Sequence, residues 1–133
     1  MAKRLGEGTM LIPRPLDVDA LVRRIPRGKI ATVTQIREHL AAEFKVDVTC
    51  PLTTGIFLRI AAETAEEDRV AGAKKVTPYW RVIKFDGTLY EKFPGGIQAQ
   101  ARHLAEEGHV IEVSGKSGRN MRVVNFDRRL ARF

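Results

Sequence analysis

The sequence predicts a mainly α fold with small β hairpins, arranged as a winged helix-turn-helix. Two helical segments separated by a short connector are typical of a helix-turn-helix. Two alternating segments, 109–113 and 121–126, predict a hairpin near the end of the chain. The chain has 133 residues, 44% of them hydrophobic and 29% charged, which is ordinary for one soluble globular domain.

Glycine and proline divide the beginning of the chain from the predicted domain. Residues 1–15 contain several such breakers, so we expect a flexible N-terminal lead followed by one domain over 16–133. A first helix fits 17–25, because apolar residues recur there on one helical face. Asp17 is the residue expected to cap it.

The two predicted helices of the helix-turn-helix follow. Thr32 and Gln35 have capping-box spacing, and the helix after them should run to about Phe44. After the connector 46–50, Pro51 suits the first position of a further helix. We expect its buried stripe to consist of Leu52, Ile56 and Ile60, with Phe57 and Ala61 as further candidates, because these apolar residues have helical spacing.

A hairpin is predicted in the middle of the chain. The acidic stretch 65–73 is predicted to be a loop, and 80–85 has the composition of a strand. Asp86-Gly87 is a hairpin turn signal, so 88–92 should return alongside the first strand.

One more helix and a basic hairpin complete the prediction. The helix should span 97–107, and Gly108 should end it in the left-handed conformation. The alternating segments 109–113 and 121–126 should pair, with 114–120 as their connection. This connection is basic, which suits the wing of a DNA-binding domain.

The charge of the chain points to a polyanionic partner. Its formal net charge is +7 and its sequence pI is about 10.0. Basic residues concentrate within 23–29 and 116–132, whereas acids concentrate within 63–68. Solvated faces of a basic soluble protein explain the same charges, so charge alone leaves both interpretations open.

Cysteine content and hydropathy indicate a cytoplasmic protein. Cys50 is the single cysteine, so no internal disulfide can form and a reducing cytoplasm is expected. No apolar run approaches the ~20 residues of a membrane span, and the N-terminus lacks the apolar stretch of a signal peptide.

The segment Pro78-Tyr79-Trp80-Arg81-Val82 is the most informative motif. Together with several other short segments in order, it resembles the DNA-binding domain of the alkylguanine-DNA alkyltransferases, which have Pro-Cys-His-Arg-Val there. The other segments are Ile25-Pro26-Arg27-Gly28-Lys29-Ile30, Thr32-Val33-Thr34-Gln35-Ile36, Asp86-Gly87, Pro94-Gly95-Gly96 and Leu104-Ala105-Glu106-Glu107-Gly108. The alkyltransferase-like branch of that family also lacks the cysteine, but it typically retains the histidine.

The resemblance implies that the alkyl-transfer reaction is absent. In the family a thiolate accepts the alkyl group and a histidine activates it. Tyr79 is a poor nucleophile near neutral pH, because the pKa of a phenol is about 10. Trp80 has no basic nitrogen to take a proton. We therefore expect no enzyme activity, no cofactor and no metal site.

Two further residues bear on this expectation. Cys50 precedes the predicted recognition helix and is expected to be a small buried thiol, so residual activity through it is disfavoured. Glu107 matches the acid that orients the histidine in the family. Without that histidine, Glu107 is expected to be a helix-end carboxylate or a partner of Arg81.

The resemblance also implies a pocket for a base rotated out of the duplex. The residues assigned to it are Val33, Tyr79, Trp80, Arg81, Val82, Phe93, Pro94 and Gly95. Their aromatic rings can stack on a base or can fill the cavity, and the sequence leaves both open. The arginine finger of the family corresponds to Thr54 or Gly55, with Arg59 one turn later as an imperfect substitute.

Contacts with duplex DNA are expected from helix starts and from basic side chains. The candidates are Thr32, Thr34, Gln35, Thr53, Thr54, Arg59, Lys116, Arg119 and Arg122. The alternative for each is that the threonine caps a helix or the arginine is solvated.

These observations favour a non-enzymatic DNA-binding protein that resembles the alkyltransferase-like DNA-repair proteins and recognises damaged, alkylated duplex. Double-stranded DNA and DNA-repair proteins are the expected partners of a monomer without membrane contact, associated with the nucleoid in a bacterium. Two alternatives stay open. One is a winged-helix module without a lesion pocket, regulatory or architectural, and the other is a protein-interaction adaptor that reuses the fold.

Overall fold

The computed structural model describes residues 2–5, 8–115 and 120–133. The described helices are α1 (Pro15–Val22), α2 (Val33–Glu43), α3 (Pro51–Val70) and α4 (Gly96–Glu106). The described strands are β1 (Ala2–Leu5), β2 (Gly8–Leu11), β3 (Ala31–Thr32), β4 (Val48–Thr49), β5 (Val82–Ile83), β6 (Ile111–Ser114) and β7 (Asn120–Val123). They form three small sheets, and the prediction of a mainly α fold with small β elements is confirmed.

The first sheet corrects the prediction of a flexible lead over 1–15. β1 and β2 pair antiparallel, and β2 continues in parallel with β4. Leu11 is buried in the core, and the Thr9 backbone N–H donates to the Asp47 carboxylate at 2.7 Å. The breakers in this segment therefore separate strands instead of leaving the segment without structure.

Helix α1 starts two residues before its predicted start. Pro15 occupies the first position, for which its fixed φ is suited. Asp17 is not the cap residue: it lies in the first turn, and its carboxylate accepts the Arg14 backbone N–H at 2.9 Å. Asp17 also forms an ion pair with the Arg14 guanidinium at 2.9 Å.

The predicted capping box of α2 is confirmed. The Gln35 backbone N–H donates to the Thr32 hydroxyl at 3.1 Å, and the Thr32 backbone N–H donates to the Gln35 side-chain oxygen at 3.0 Å. Helix α2 ends at Glu43, and the segment up to Pro51 includes the short strand β4.

The orientation of α3 was predicted wrongly. Its buried residues are Thr54, Leu58, Ala62 and Ala65, whereas Leu52 is 73% exposed and Ile56 is 42% exposed. Helix α1 packs against α3, and the small alanines allow the two helices to approach closely. Packing therefore selected the stripe with smaller side chains over the more apolar one.

Helix α3 also extends through most of the stretch predicted to be a loop, and ends at Val70. Within its last turns the Arg69 guanidinium donates to the Glu66 carboxylate at 3.0 Å. Such pairs, one turn apart, stabilise an exposed helix face. They let an acidic segment remain helical.

The middle of the chain contains less strand than predicted. A 3₁₀ turn spans Tyr79–Arg81, and only Val82–Ile83 are strand, paired in parallel with β3. The predicted turn at Gly87 is present, with a φ of +88°. The return segment 88–92 is not a strand, because Thr88 pairs with Arg122 of β7 instead.

The last helix and the hairpin match their predictions apart from their bounds. Gly108 follows α4 with a φ of +91°, and β6 pairs antiparallel with β7. Lys116 and Arg119 lie outside the described residues. Within the described residues, no helix combines the length and apolarity that crossing a membrane requires.

Two buried clusters form the core. One lies among α1, α2, α3 and Tyr79. The other lies beneath α4 and the β6–β7 hairpin and includes Ile30, Ile83 and Leu104. Trp80 packs against both clusters, so the motif that carries the family resemblance joins the two halves of the domain.

Candidate nucleic-acid interface

Tyr79 lies at the position that the predicted resemblance aligns with the reactive cysteine of the alkyltransferases. Its side chain is only 2% exposed. Its ring packs in T-shaped geometry against the rings of Trp80, Phe93 and His103, with centroid distances of 5.3, 5.4 and 6.1 Å. These four rings are called the closed cluster below, and they leave no space for a base at Tyr79.

The environment of Tyr79 does not activate its hydroxyl. The hydroxyl donates to the Glu66 carboxylate at 3.3 Å. Burial, together with the negative charge of Glu66, raises the pKa of Tyr79 to about 12. Glu66 is itself a weak base, because hydrogen bonding from Arg69 lowers its pKa. Tyr79 is therefore a protonated phenol at neutral pH.

Arg81 and Glu107 form a buried ion pair, as one of the two alternatives for Glu107 predicted. Two guanidinium nitrogens of Arg81 donate to the two carboxylate oxygens at 2.9 and 2.7 Å. A third donates to the Ile25 carbonyl at 2.7 Å. Burial acts to raise the pKa of Glu107, but the hydrogen bonds and charge of Arg81 outweigh it and the pKa lies below its usual value.

A groove of about 400 Å³ opens beside the closed cluster, between the start of α3 and segment 84–93. This recognition groove is lined by Pro51, Leu52, Gly55, Ile56, Arg59, Lys84, Tyr90, Glu91, Lys92 and Phe93. The Tyr90 ring stacks on Phe93 at 4.5 Å between centroids, with 26° between the planes. Phe93 therefore belongs to both regions and separates the groove from Tyr79.

Cationic side chains border this groove. Arg59, Lys84 and Lys92 line it together with one acid, Glu91. The Lys84 ammonium lies over the Tyr90 ring, 5.7 Å from its centroid. The groove is therefore apolar and aromatic at its walls and positive at its rim.

Lys84 also lines a second depression of about 420 Å³, which reaches β7. Arg122 lines that depression, so the cations Arg59, Lys84 and Arg122 form a continuous track from α3 to the hairpin. Acids accompany the track: Asp86, Glu91 and Glu112. Burial is slight along it, which leaves its cations accessible to a polyanion.

The predicted pocket residues do not form one pocket. Phe93 lines the recognition groove, while Tyr79 and Val82 are buried in the core. Arg81 is held by Glu107, and Val33 packs against the first core cluster.

Trp80, Pro94 and Gly95 also lie outside the groove. The Trp80 ring stacks on His103 at 4.4 Å with 16° between the planes. Pro94 lies beside acidic residues of α3. Gly95 caps α4 with a φ of +79°, and a Cβ there would approach Ala99 to 2.5 Å.

Three of the predicted DNA contacts are used within the protein. Thr32 and Gln35 complete the cap of α2, and the Gln35 amide also donates to the Ala131 carbonyl at 3.1 Å. Thr54 is fully buried, and its hydroxyl donates to the Cys50 carbonyl at 2.7 Å. The assignment of Thr54 to DNA contact is therefore wrong, because its side chain is buried.

The other described candidates remain at or near the surface. Arg59 and Arg122 are exposed, and Arg59 lies 3.8 Å from Glu63. Thr34 and Thr53 are half-buried, and the Thr53 hydroxyl contacts the Cys50 sulfur at 3.2 Å. The assignment of the two exposed arginines to DNA contact stays a prediction.

Cys50 is half-buried at the cap of α3, so the expectation of a buried thiol is corrected. The Thr53 hydrogen bond lowers the pKa of the thiol. Cys50 is not one of the groove-lining residues. Its lowered pKa reflects its place at a helix start.

Sequence reasoning missed Leu52, Ile56, Lys84, Tyr90 and Lys92 as groove residues. Leu52 and Ile56 were assigned to the core because of their apolar spacing. Lys84 and Tyr90 flank the Asp86-Gly87 turn, and their positions on either side of this turn were the one feature of the sequence that could have indicated that they lie close together. Their meeting with α3 depends on tertiary packing, which the spacing alone does not specify.

The helices, small sheets and terminal hairpin form a fold that two solved structures share. The structure of S. pombe Atl1 in complex with damaged DNA containing O6-carboxymethylguanine shares it, with a TM-score of 0.59 and 20% sequence identity. A structure of S. pombe ATL in complex with DNA gives a TM-score of 0.62, also at 20% identity. Each comparison covers 90% of this chain and 94% of the other. No protein-family model and no curated protein matches the sequence.

Proposed function

We propose that this chain is a non-enzymatic DNA-binding protein that recognises damaged, alkylated duplex. The observation that carries this proposal is the recognition groove, with apolar and aromatic walls and a cationic rim, at the start of α3. The fold shared with two DNA complexes supports it. The cation track supplies the phosphate neutralisation on which duplex affinity depends.

In this proposal α2 and α3 act as the helix-turn-helix and β6–β7 as the wing. Helix α3 lies against the major groove, as recognition helices do. Arg59, Lys84 and Arg122 then contact phosphates on the way from the helix to the wing. Lys116 and Arg119, which lie outside the described residues, stay candidate DNA contacts from the sequence.

The recognition groove receives the damaged base. Stacking on an aromatic side chain contributes roughly 1–3 kcal/mol per base, and Tyr90 is the ring that the groove offers beside Phe93. The exposed side chains of Leu52 and Ile56 provide apolar surface for an added alkyl group. The base does not enter the closed cluster, because Tyr79 already fills it.

No alkyl transfer accompanies binding. Tyr79 lacks both ionisation at neutral pH and exposure to substrate. The protein therefore marks the lesion as a monomer, and DNA-repair proteins act on it in the cytoplasm, at the nucleoid if the source is bacterial.

The test compares a plain duplex with one containing an O6-alkylguanine at two salt concentrations. We expect tighter binding to the lesion, and affinity for both duplexes that falls with salt. Tyr90→Ala should reduce the lesion preference, whereas the buried Tyr79→Phe is the matched aromatic control and should keep it. Absence of binding at low salt would instead favour a protein-interaction adaptor.

A DNA-binding module without base flipping is the second candidate. It is favoured by Thr54 and Gly55, which the resemblance aligns with the arginine finger of the alkyltransferases. Neither side chain can fill the gap that a rotated base leaves in the duplex. A fluorescent base analogue opposite the lesion separates the two, because flipping unstacks it and raises its emission. Equal affinity for both duplexes, with no change in the emission of the base analogue, would show that the protein is a DNA-binding module without base flipping.

Mass spectrometry of the protein after incubation with alkylated DNA tests the non-enzymatic part. We expect an unchanged mass. An alkyl group recovered on Cys50 would overturn this part, since Cys50 is the thiol whose pKa is lowered.

A further inference from the structure

His109 is a buried histidine whose ring nitrogens have no hydrogen-bond partner. It follows Gly108 at the end of α4, and its side chain is 5% exposed. Neither Nδ1 nor Nε2 has a partner within the structure. An imidazole always presents at least one N–H donor, and leaving such a group buried and unpaired is costly. A polar ligand that hydrogen-bonds to the ring nitrogens would remove this cost.

His109 lines a cavity of about 220 Å³ together with two arginines. The other lining residues are Val110, Val124, Asn125, Arg128 and Arg129. A water molecule occupies ~30 Å³ of liquid volume, so the cavity can hold several waters or one tetrahedral anion with water.

The arginines of this cavity are not neutralised by acids. Among the described residues, neither Arg128 nor Arg129 forms a salt bridge. Glu107 is the acid that acts on His109 electrostatically, and Arg81 occupies both of its oxygens. The cavity thus combines positive charge with an unused imidazole.

The imidazole is held neutral by its surroundings. Burial and the charges of Arg129 and Arg81 lower the pKa of His109, against the opposing effect of Glu107. A neutral ring offers one donor and one acceptor. The acceptor oxygens of a phosphate group match the donor of the ring and the guanidinium groups of the two arginines.

We propose that His109, Arg128 and Arg129 form a binding site for a phosphate group, separate from the recognition groove. The site lies at the base of the β6–β7 hairpin, since Val110 and Val124 hydrogen-bond there at 2.9 Å. The tip of the hairpin is at the other end of strands four residues long, roughly 13 Å away at the usual rise per residue. None of the residues lining this cavity lines the recognition groove.

The test follows the histidine ring signals by NMR during titration with inorganic phosphate at constant ionic strength. The chain has three histidines, so His39 and His103 are internal controls. We expect a saturable movement of the His109 signals that chloride does not reproduce. Absence of this movement, or an equal movement with chloride, would overturn the proposal.

Two variants identify the cations. Replacing Arg128 and Arg129 by glutamine should weaken phosphate binding by about tenfold or more, because charge-assisted hydrogen bonds are lost. Lys74→Gln with Lys75→Gln removes the same charge from exposed residues outside the cavity and should leave binding unchanged. An equal loss of phosphate affinity in both double variants would show that net charge alone accounts for the binding, and it would overturn the proposed site.

Calorimetric titration of the His109→Gln variant with phosphate is an independent test. We expect this variant to lose phosphate binding, and retained binding would contradict the proposal.

A second arm distinguishes the source of the phosphate. A plain duplex is added to the phosphate-saturated protein, and the His109 signals are followed again. Displacement of phosphate would show that a DNA backbone phosphate uses this site. Simultaneous binding would show that the site takes a free phosphate or a small phosphate-bearing molecule. Both outcomes are independent of whether the recognition groove takes a damaged base.

Discussion

The closed cluster around Tyr79 and the recognition groove beside it share the Phe93 ring but differ in what they can do. Tyr79 and Phe93 of the closed cluster are buried, and the Tyr79 hydroxyl is partnered by Glu66. The groove exposes Leu52 and Ile56 and places Lys84 over the ring of Tyr90. The comparison teaches that the aromatic ring at position 79 belongs to the core. The adjacent wall of α3 remains open for a ligand.

The difference follows from the size of the side chains in the closed cluster. The Tyr79 phenol packs against three rings, and the Trp80 indole beside it stacks on His103. Aromatic side chains stabilise a core through the large area that they bury. Tyr79 and Trp80 therefore contribute packing to the core.

The largest effect is expected for Tyr79→Ala, which breaks the closed cluster. It should lower the free energy of unfolding by about 3–5 kcal/mol, because it leaves a cavity among Trp80, Phe93 and His103. Urea denaturation measures it. Tyr79→Phe keeps the ring and should cost less than about 1 kcal/mol. A similar loss in both variants would contradict the packing role of the ring.

Glu107→Gln should cost about 3 kcal/mol, because it leaves the buried Arg81 without its charge partner. The measurement is again the free energy of unfolding, with the exposed Glu43→Gln as the control for loss of a carboxylate. If Glu107→Gln lowered the free energy of unfolding no more than Glu43→Gln does, the Arg81–Glu107 ion pair would not contribute to stability.

The same variant should change the acid dependence of stability. The pKa of Glu107 is lowered in the folded protein, from a usual value of 4.5. Its contribution is therefore present above about pH 4.5 and is lost as the pH falls through the lower folded-state value. Glu107→Gln should show a shallower loss of stability below pH 4.5 than the unsubstituted chain. Identical acid slopes would contradict the assignment.

Arg59→Gln with Lys84→Gln tests the groove as the DNA-facing side. The slope of log affinity against log salt should shrink by about 2, since each phosphate contact contributes about 1. The stability of the protein should be nearly unchanged. An unchanged slope would remove both residues from the interface, and Lys74→Gln with Lys75→Gln is the matched control.

The smallest effect on stability is expected for Leu52→Ser. The side chain is largely exposed, so the free energy of unfolding should change by less than about 0.5 kcal/mol. Affinity for an alkylated duplex should fall more than affinity for a plain one. If the substitution destabilised the fold strongly, Leu52 would belong to the core after all.

Local chemistry could be predicted along much of the chain. The capping box at Thr32, the start of α3 at Pro51, the turn at Gly87 and the stop at Gly108 all appear as expected. Each depends on hydrogen bonds or backbone conformations within a few residues. Neighbours in sequence are sufficient to specify them.

The site was predicted less completely. Arg59, predicted as a DNA contact, and Phe93, predicted as a pocket residue, both line the groove, but Lys84 and Tyr90 were not predicted. Thr54 was assigned to DNA and is buried. These errors arise because a groove is made by segments distant in sequence, and the side chains that face it depend on how the helices are rotated.

The sequence by itself determined the starts of α2 and α3 and the positive charge of the chain. Only the tertiary structure decided which face of α3 is buried and that the Tyr79 ring lies in the core. The physical reason is that α3 carries two stripes of similar spacing, and only packing against the rest of the domain distinguishes them. In the folded protein Ala62 and Ala65 are buried, and Leu52 and Ile56 are exposed.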